Sequence, residues 1–279
     1  MPLKLFYITN RPEIAQIADE TGVDRVFIDM EYIGKDIRQG GMDTVQNHHT
    51  IQDIRKIKPV IKHAELLVRV NPIHDSTPEY ECSETEIRQA IDAGADVVML
   101  PMYRTVEEVQ RFVRAVNGNA KTLLLCETSE AVEIMPEVIK LGGVNEIHLG
   151  LNDLHLALKK KFMFELLADG TVEKIINIIK DSGIKYGFGG IARIGYGTLP
   201  AEKIIAEHYR LGSNMAILSR SFCNANKIDD IDAIRDLFFT EVTKIREVEN
   251  VIASFTPFQF EMNRQDVIKL TQSIVNQCS

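Results

Sequence analysis

The chain has 279 residues, of which 45% are hydrophobic and 26% charged, with a formal net charge of −8. That length is ample for one large closed core, and the composition is that of a soluble globular protein rather than a disordered or fibrous one. No stretch is dense in Lys and Arg with interleaved aromatics, which speaks against nucleic acid as a partner.

Short apolar runs alternate with longer amphipathic ones along the chain. "KLFYIT" (4–9) precedes "PEIAQIADETG", and "RVFID" (25–29) is followed by a polar loop and "TIQDIRKIKPVIKH". "ELLVRV" (65–70) leads to "SETEIRQAIDAG", and "DVVML" (96–100) to "TVEEVQRFVRAVNG". "KTLLLC" (121–126) leads to "SEAVEIMPEVIKLGG", and "NEIHLG" (145–150) to an irregular piece and "TVEKIINIIKDSG". "KYGFGG" (185–190) leads to "LPAEKIIAEHYRLG", and "NMAILS" (214–219) is the eighth run. Runs of about five residues that are apolar on both faces belong to a parallel sheet covered by helices. Eight such units predict a (β/α)₈ TIM barrel over 1–222. A doubly wound open sheet is the alternative; no GxGxxG follows the first strand, which weakens its dinucleotide-binding form. The remainder, 223–279, predicts a C-terminal helical extension of two helices, "DDIDAIRDLFFTEVTKIREVENVIASF" and "RQDVIKLTQSIVNQ". It is expected to pack on its own barrel or on a partner subunit.

Cys82, Cys126, Cys223 and Cys278 are far apart, with no CxxC pair. That pattern predicts neither a zinc site nor a disulfide framework. The N-terminal stretch has no signal-peptide pattern, and no apolar run reaches the roughly 20 residues that span a bilayer. A cytoplasmic protein with no membrane partner is expected.

Barrel active sites form at the C-terminal ends of the strands. The polar residues there are Asp29, Glu31 and Tyr32 with Lys35 and Arg38 close behind, Arg69, Glu127, Asp153, and Ser219 with Arg220. Glu127 and Asp153 follow neighbouring strands, and converging carboxylates repel unless a proton or cation sits between them. Mg²⁺, which takes a few carboxylates, waters and substrate oxygens, suits the pair. The plainer alternative is that Asp153 caps "LHLALKK" and that Glu127 merely precedes the cap of the next helix. Arg69, in an otherwise apolar strand, requires an anionic partner. That partner is either a ligand oxyanion or a core acid such as Asp29. The glycine-rich "GFGGIARIGYGTLP" (187–200) is either a ligand-approach loop carrying Arg193 or a simple turn.

The segments "GVDRVFIDMEY", "LLVRVN", "AIDAGADVVMLPM", "ETSEAVEIMPEVIKLGGVNEIHLGLNDL" and "RLGSNMAILSRSF" resemble the HpcH/HpaI aldolase and citrate lyase β-subunit family, of the phosphoenolpyruvate/pyruvate barrel superfamily, over about 22–222. The resemblance implies Mg²⁺, Mn²⁺ or another divalent ion on Glu127 and Asp153, chelated by a 2-oxo acid such as pyruvate. It implies that the backbone of Gly150, Leu151 and Asn152 holds the substrate carboxylate and that Arg69 stabilises an enolate oxygen. It implies a class II aldolase reaction with an aldehyde, and a homo-oligomer with a swapped C-terminal helix. An acyl-CoA lyase, or a non-catalytic relative that keeps the metal site, is the alternative.

The chain departs from the family pattern at two places. The aldolases carry Asp-x-Glu-His after the second strand, where the histidine transfers a proton, and here Tyr32 takes its place. Tyr32 is therefore the expected proton-transfer residue, with His48, His49 and His74 as outside candidates expected to be solvated loop residues. The glutamine expected two residues before the metal glutamate is Leu125.

Overall fold

The computed structural model describes residues 2–34, 47–225 and 228–277. Lys35, Arg38 and Cys278 lie outside the described residues. Eight parallel strands close into a barrel in chain order: β1 (Lys4–Ile8), β2 (Arg25–Asp29), β3 (Glu65–Arg69), β4 (Val97–Leu100), β5 (Lys121–Cys126), β6 (Glu146–Leu149), β7 (Lys185–Ile191) and β8 (Met215–Leu218). The predicted TIM barrel is correct, and each strand lies where its apolar run does.

Side chains alternate between two cores, as the two-residue period of a strand requires. Inside the barrel, Phe6, Phe27, Leu67, Val97, Met99, Leu123, Leu125 and Met215 form one apolar cluster. The other residues of each strand pack outward on the helices. The base of the barrel interior is ionic. Arg25, 0% exposed, donates from Nη2 to Glu146 at 2.8 Å and from Nε to Glu65 at 2.9 Å, and its Nη1 also pairs with Glu146. Lys121 pairs with Glu65 from the rim.

The helices of the barrel are α1 (Pro12–Glu20), α2 (Ile51–Ile57), α3 (Ser83–Ala93), α4 (Val106–Val116), α5 (Ser129–Glu133), α6 (Met135–Val138), α7 (Leu151–Ala157), α8 (Glu165–Ala168), α9 (Thr171–Ile179) and α10 (Ala201–Arg210). The run after β5 is split between α5 and α6 rather than continuous; Pro136 lacks the N–H that would carry the first helix on. The tail forms α11 (Ile231–Ile252) and α12 (Pro257–Gln277). α12 begins earlier than the periodicity of "RQDVIKLTQSIVNQ" suggests. Thr256 and Gln259 exchange a reciprocal cap: Gln259 N–H donates to Thr256 Oγ1 at 3.3 Å, and Thr256 N–H to Gln259 Oε1 at 2.8 Å. α11 lies on α1 and α10, and α12 on α8 and α10, of the same chain. No helix among the described residues is long and apolar enough to cross a membrane.

Asp19, at the end of α1, receives backbone N–H groups from Lys62 (2.9 Å), His63 (2.8 Å) and Ala64 (2.6 Å) just before β3. Burial raises the carboxyl, but the three N–H donors outweigh it and hold the acid below its usual range. A depressed carboxylate contributes stability that is present above its unfolded pKa of about 4 and is lost as pH falls below it. Asp19→Ala is expected to cost about 2–3 kcal/mol at neutral pH. The same variant flattens the acid limb of a urea-melt pH series; an unchanged limb would remove Asp19 from the account.

Candidate active site

The C-terminal mouth of the barrel opens into a cavity of about 420 Å³. Its wall includes Asp29, Arg69, Glu127, His148 and the turn Gly150–Asp153. Glu127 is the first residue beyond β5 and only 3% exposed. The cap of α5 is Thr128, whose Oγ1 accepts from Ala131 N–H at 3.0 Å. Glu127 is thereby released from capping and turns into the cavity. Thr128 also donates to the Tyr103 carbonyl at 2.9 Å, and Met102 N–H donates to Glu127 Oε1 at 3.1 Å. These two bonds stitch the turns after β4 and β5 together, and Met102 adopts φ 54° to make its part.

Gly150 ends the ladder after β6. Its N–H donates to the Cys126 carbonyl at 2.9 Å, so that N–H is not available to hold a substrate carboxylate. Gly150 contributes instead by lacking a side chain: a Cβ there would come within 2.8 Å of Glu127 Oε2. Leu151 and Asn152 occupy the first two positions of α7, where backbone N–H groups have no acceptor within the helix. Asp153 follows in the same turn, one residue too late to be the cap, and faces the cavity. Burial pushes the Glu127 carboxyl well above its ordinary range, and the negative charges of Glu31 and Asp153 push it further, against Arg69 and the Met102 N–H.

Asp29 and Arg69 are register partners on β2 and β3. Arg69 donates from Nε and Nη2 to the two oxygens of Asp29, both at 2.8 Å, and Nη1 lies 3.3 Å from Glu31. Burial works against the guanidinium charge, but these carboxylates overturn it and keep Arg69 cationic. Of the two partners expected from sequence, the core acid is the one in contact. The fork fixes the guanidinium plane while the side chain still lines the cavity.

A model of the HpcH/HpaI aldolase/citrate lyase family matches residues 3–186. The chain belongs to that family. The fold also resembles an HpcH/HpaI aldolase/citrate lyase family protein from Burkholderia cenocepacia J2315, with TM-score 0.62 and 15% identity, covering 84% of this chain and 95% of that one. It is similar to an HpcH/HpaI aldolase from Desulfitobacterium hafniense DCB-2, with TM-score 0.59 and 17% identity, over 88% and 93% of the two chains. A citrate lyase from Burkholderia xenovorans LB400 gives TM-score 0.57 and 12% identity over 98% and 94%. No curated protein matches the sequence. Membership in the HpcH/HpaI family supports a lyase.

Tyr32, at the family's histidine position, is not among the residues lining the cavity. Its N–H donates to Asn71 Oδ1 at 2.8 Å, and its ring stacks on His48 at a centroid distance of 5.7 Å. Burial and the nearby charges of Asp29, Asp53 and Glu86 push its hydroxyl up to about 12, which leaves it protonated at neutral pH. His49 lines the cavity instead. It is 5% exposed rather than solvated, and its Nδ1 accepts the Asp29 N–H at 3.1 Å. In the neutral ring that bond assigns the proton to Nε2. Asn47 Nδ2 donates to Asp29 Oδ2 at 3.1 Å from the same loop. Asp29 thus orients Arg69 through its carboxylate and His49 through its backbone. His74 is held by Ser83 and by the Pro72 and Glu81 carbonyls and does not line the cavity.

Below Leu125 and its register partner His148 the cavity closes. His148 lies within hydrogen-bond distance of the Gly189 carbonyl, at 3.1 Å from Nε2. Burial lowers its pKa to about 4, with a further lowering from Arg25, so it is neutral at physiological pH. The glycine-rich segment is partly strand rather than loop. β7 runs through Gly190, and a Cβ on Gly187 would come within 2.2 Å of Met215, so a flat residue is required where β7 meets β8.

Proposed function

We propose that the chain is a divalent-metal-dependent carbon–carbon lyase of the class II aldolase type, acting on a 2-oxo acid through a pyruvate-like enolate. The observation that carries this reading is Glu127: a buried carboxylate, aimed into a cavity it shares with Asp153, whose charge is opposed by burial and by both neighbouring acids. Such a pair suits Mg²⁺ or Mn²⁺. Among the described residues no group of three or more His, Cys, Asp or Glu side chains could hold a metal. A cation on Glu127 and Asp153 therefore leaves most of its shell to water and to ligand oxygens. When bound there it supplies Lewis-acid polarisation of the 2-oxo group.

The chain's own residues do the rest. Arg69, kept cationic and fixed in plane by Asp29, offers positive charge to an oxygen that becomes negative in the transition state. His49 Nε2–H offers a neutral donor on the same side of Asp29. Leu151 and Asn152 offer unspent N–H groups to the substrate carboxylate. Leu125 and the walls of the barrel exclude water beneath the reacting carbons.

The test is cleavage of 4-hydroxy-2-oxo acids by chelator-stripped protein with and without Mg²⁺ or Mn²⁺, read as pyruvate released. Metal-dependent release is the expected result. Cleavage of an acyl-CoA ester with no pyruvate from any oxo acid would contradict it and move the reaction to the citrate lyase branch. Within this reading His49→Gln is expected to lower kcat by roughly 10²-fold, the scale of a lost transition-state donor. Tyr32→Phe should leave the pH–rate profile in place. The opposite ranking would return the role to Tyr32.

A further inference from the structure

We propose that the β8–β1 side of the cavity is the subsite for the second substrate, and that it selects a carbonyl compound bearing its own anionic group, met by Arg220. This rests on the 2-oxo acid reading. Glu127 follows β5 and Asp153 follows β6, whereas β1 stands four strands from β5 in either direction around the closed barrel. A 2-oxo acid placed between Glu127, Asp153 and Arg69 therefore points its reactive carbon across the mouth, toward the turns after β8 and β1.

Those turns carry a different chemistry from the metal side. The cavity wall there holds Asn10, Thr198, Ser219, Arg220 and Asn224. The carboxylates of the wall, Asp29, Glu127 and Asp153, all follow β2, β5 or β6, so none stands on this side. Among the described residues the wall's guanidiniums are Arg69 and Arg220, and Arg69 is ion-paired to Asp29 and Glu31. The local field at β8–β1 is thus positive and rimmed by amides and hydroxyls, which matches a carboxylate or phosphate.

The turn that presents Arg220 is also built rather than loose. Arg193 Nε–H donates to the Ser221 carbonyl at 3.3 Å, Tyr7 O–H to the Cys223 carbonyl at 3.1 Å, and Arg11 Nη1–H to the Ala225 carbonyl at 3.0 Å. Three side chains from β1 and β7 clamp three successive odd positions of one turn. Arg193 itself stacks over Tyr196 at 4.2 Å and is not on the cavity wall, so its part is to hold the turn and not the ligand.

In the addition direction, the enolate carbon forms a bond to the aldehyde carbon, the carbonyl π pair moves to its oxygen, and that oxygen takes one proton. The anionic tail of the aldehyde fixes which carbon is presented. The experiment is aldol addition to pyruvate with Mg²⁺, comparing glyoxylate and glyceraldehyde 3-phosphate with acetaldehyde and glyceraldehyde. The wild type is expected to favour an anionic aldehyde over its neutral counterpart by roughly 10- to 100-fold in kcat/KM, the worth of one charged hydrogen bond. Arg220→Gln should bring that ratio close to one. The two anionic aldehydes distinguish a carboxylate site from a phosphate site. Wild-type ratios near one, or a preference intact in Arg220→Gln, would overturn the subsite alone. Failure of the wild type to exchange the pyruvate methyl protons would overturn the 2-oxo acid reading and the subsite with it.

Discussion

Replacing Glu127 by glutamine, or Asp153 by asparagine, is expected to lower metal-dependent turnover by at least roughly 10²–10³-fold, the range seen when one preorganised charge-stabilising group is lost. The fold should survive. Glu127 sits in a cavity where burial, Glu31 and Asp153 all oppose its charge, so the amide removes a repulsion while keeping the shape and an acceptor for the Met102 N–H. A variant that melts no lower than the parent but no longer turns over is the signature of a group placed for chemistry. Metal titration followed by calorimetry should show the same loss. Unchanged turnover in either variant would sink the assignment of both acids.

The largest stability effect is expected at the other end of the barrel. Arg25 is fully buried between Phe6, whose ring lies 4.8 Å from the guanidinium, and the carboxylates of Glu146 and Glu65. Glu146→Leu leaves that guanidinium in an apolar interior without its main partner, a change that costs about 3–5 kcal/mol. For a chain of this size that corresponds to a melting temperature lower by on the order of 10 °C. The paired swap Arg25→Met with Glu146→Leu should recover much of the loss, because an apolar pair of similar volume meets no desolvation cost. A single variant that costs less than about 1 kcal/mol would show that the pair contributes little.

The barrel was legible because its strands are buried on both faces. "VVML" and "TLLLC" have no polar side to hide, and each strand in the structure falls on such a run. Glu127 and Asp153 were legible for the converse reason: charge just past a buried run stands out, and strand order makes them neighbours. Local capping decided what periodicity could not. The Thr256–Gln259 cap starts α12 at Pro257, ahead of the apolar pattern that marks its later turns. The acid/base side of the site was the least legible. Tyr32 holds the family's position but is turned away by Asn71, while His49, in a polar "NHHT" segment that reads as solvated loop, is folded back onto the Asp29 backbone. Nothing in the spacing of a loop states where its residues return to the barrel. Arg193 and Arg220 illustrate the same limit: both follow strand ends, and only the path of the turns sends one to the cavity and the other to Tyr196.

The measurement that tests the central claim most directly is exchange of the pyruvate methyl protons for deuterium, followed by NMR on chelator-stripped protein before and after addition of Mg²⁺ or Mn²⁺. The account predicts exchange that requires the metal and disappears in Glu127→Gln. Exchange that persists after stripping, or its absence from protein shown by calorimetry to bind the metal, would contradict it.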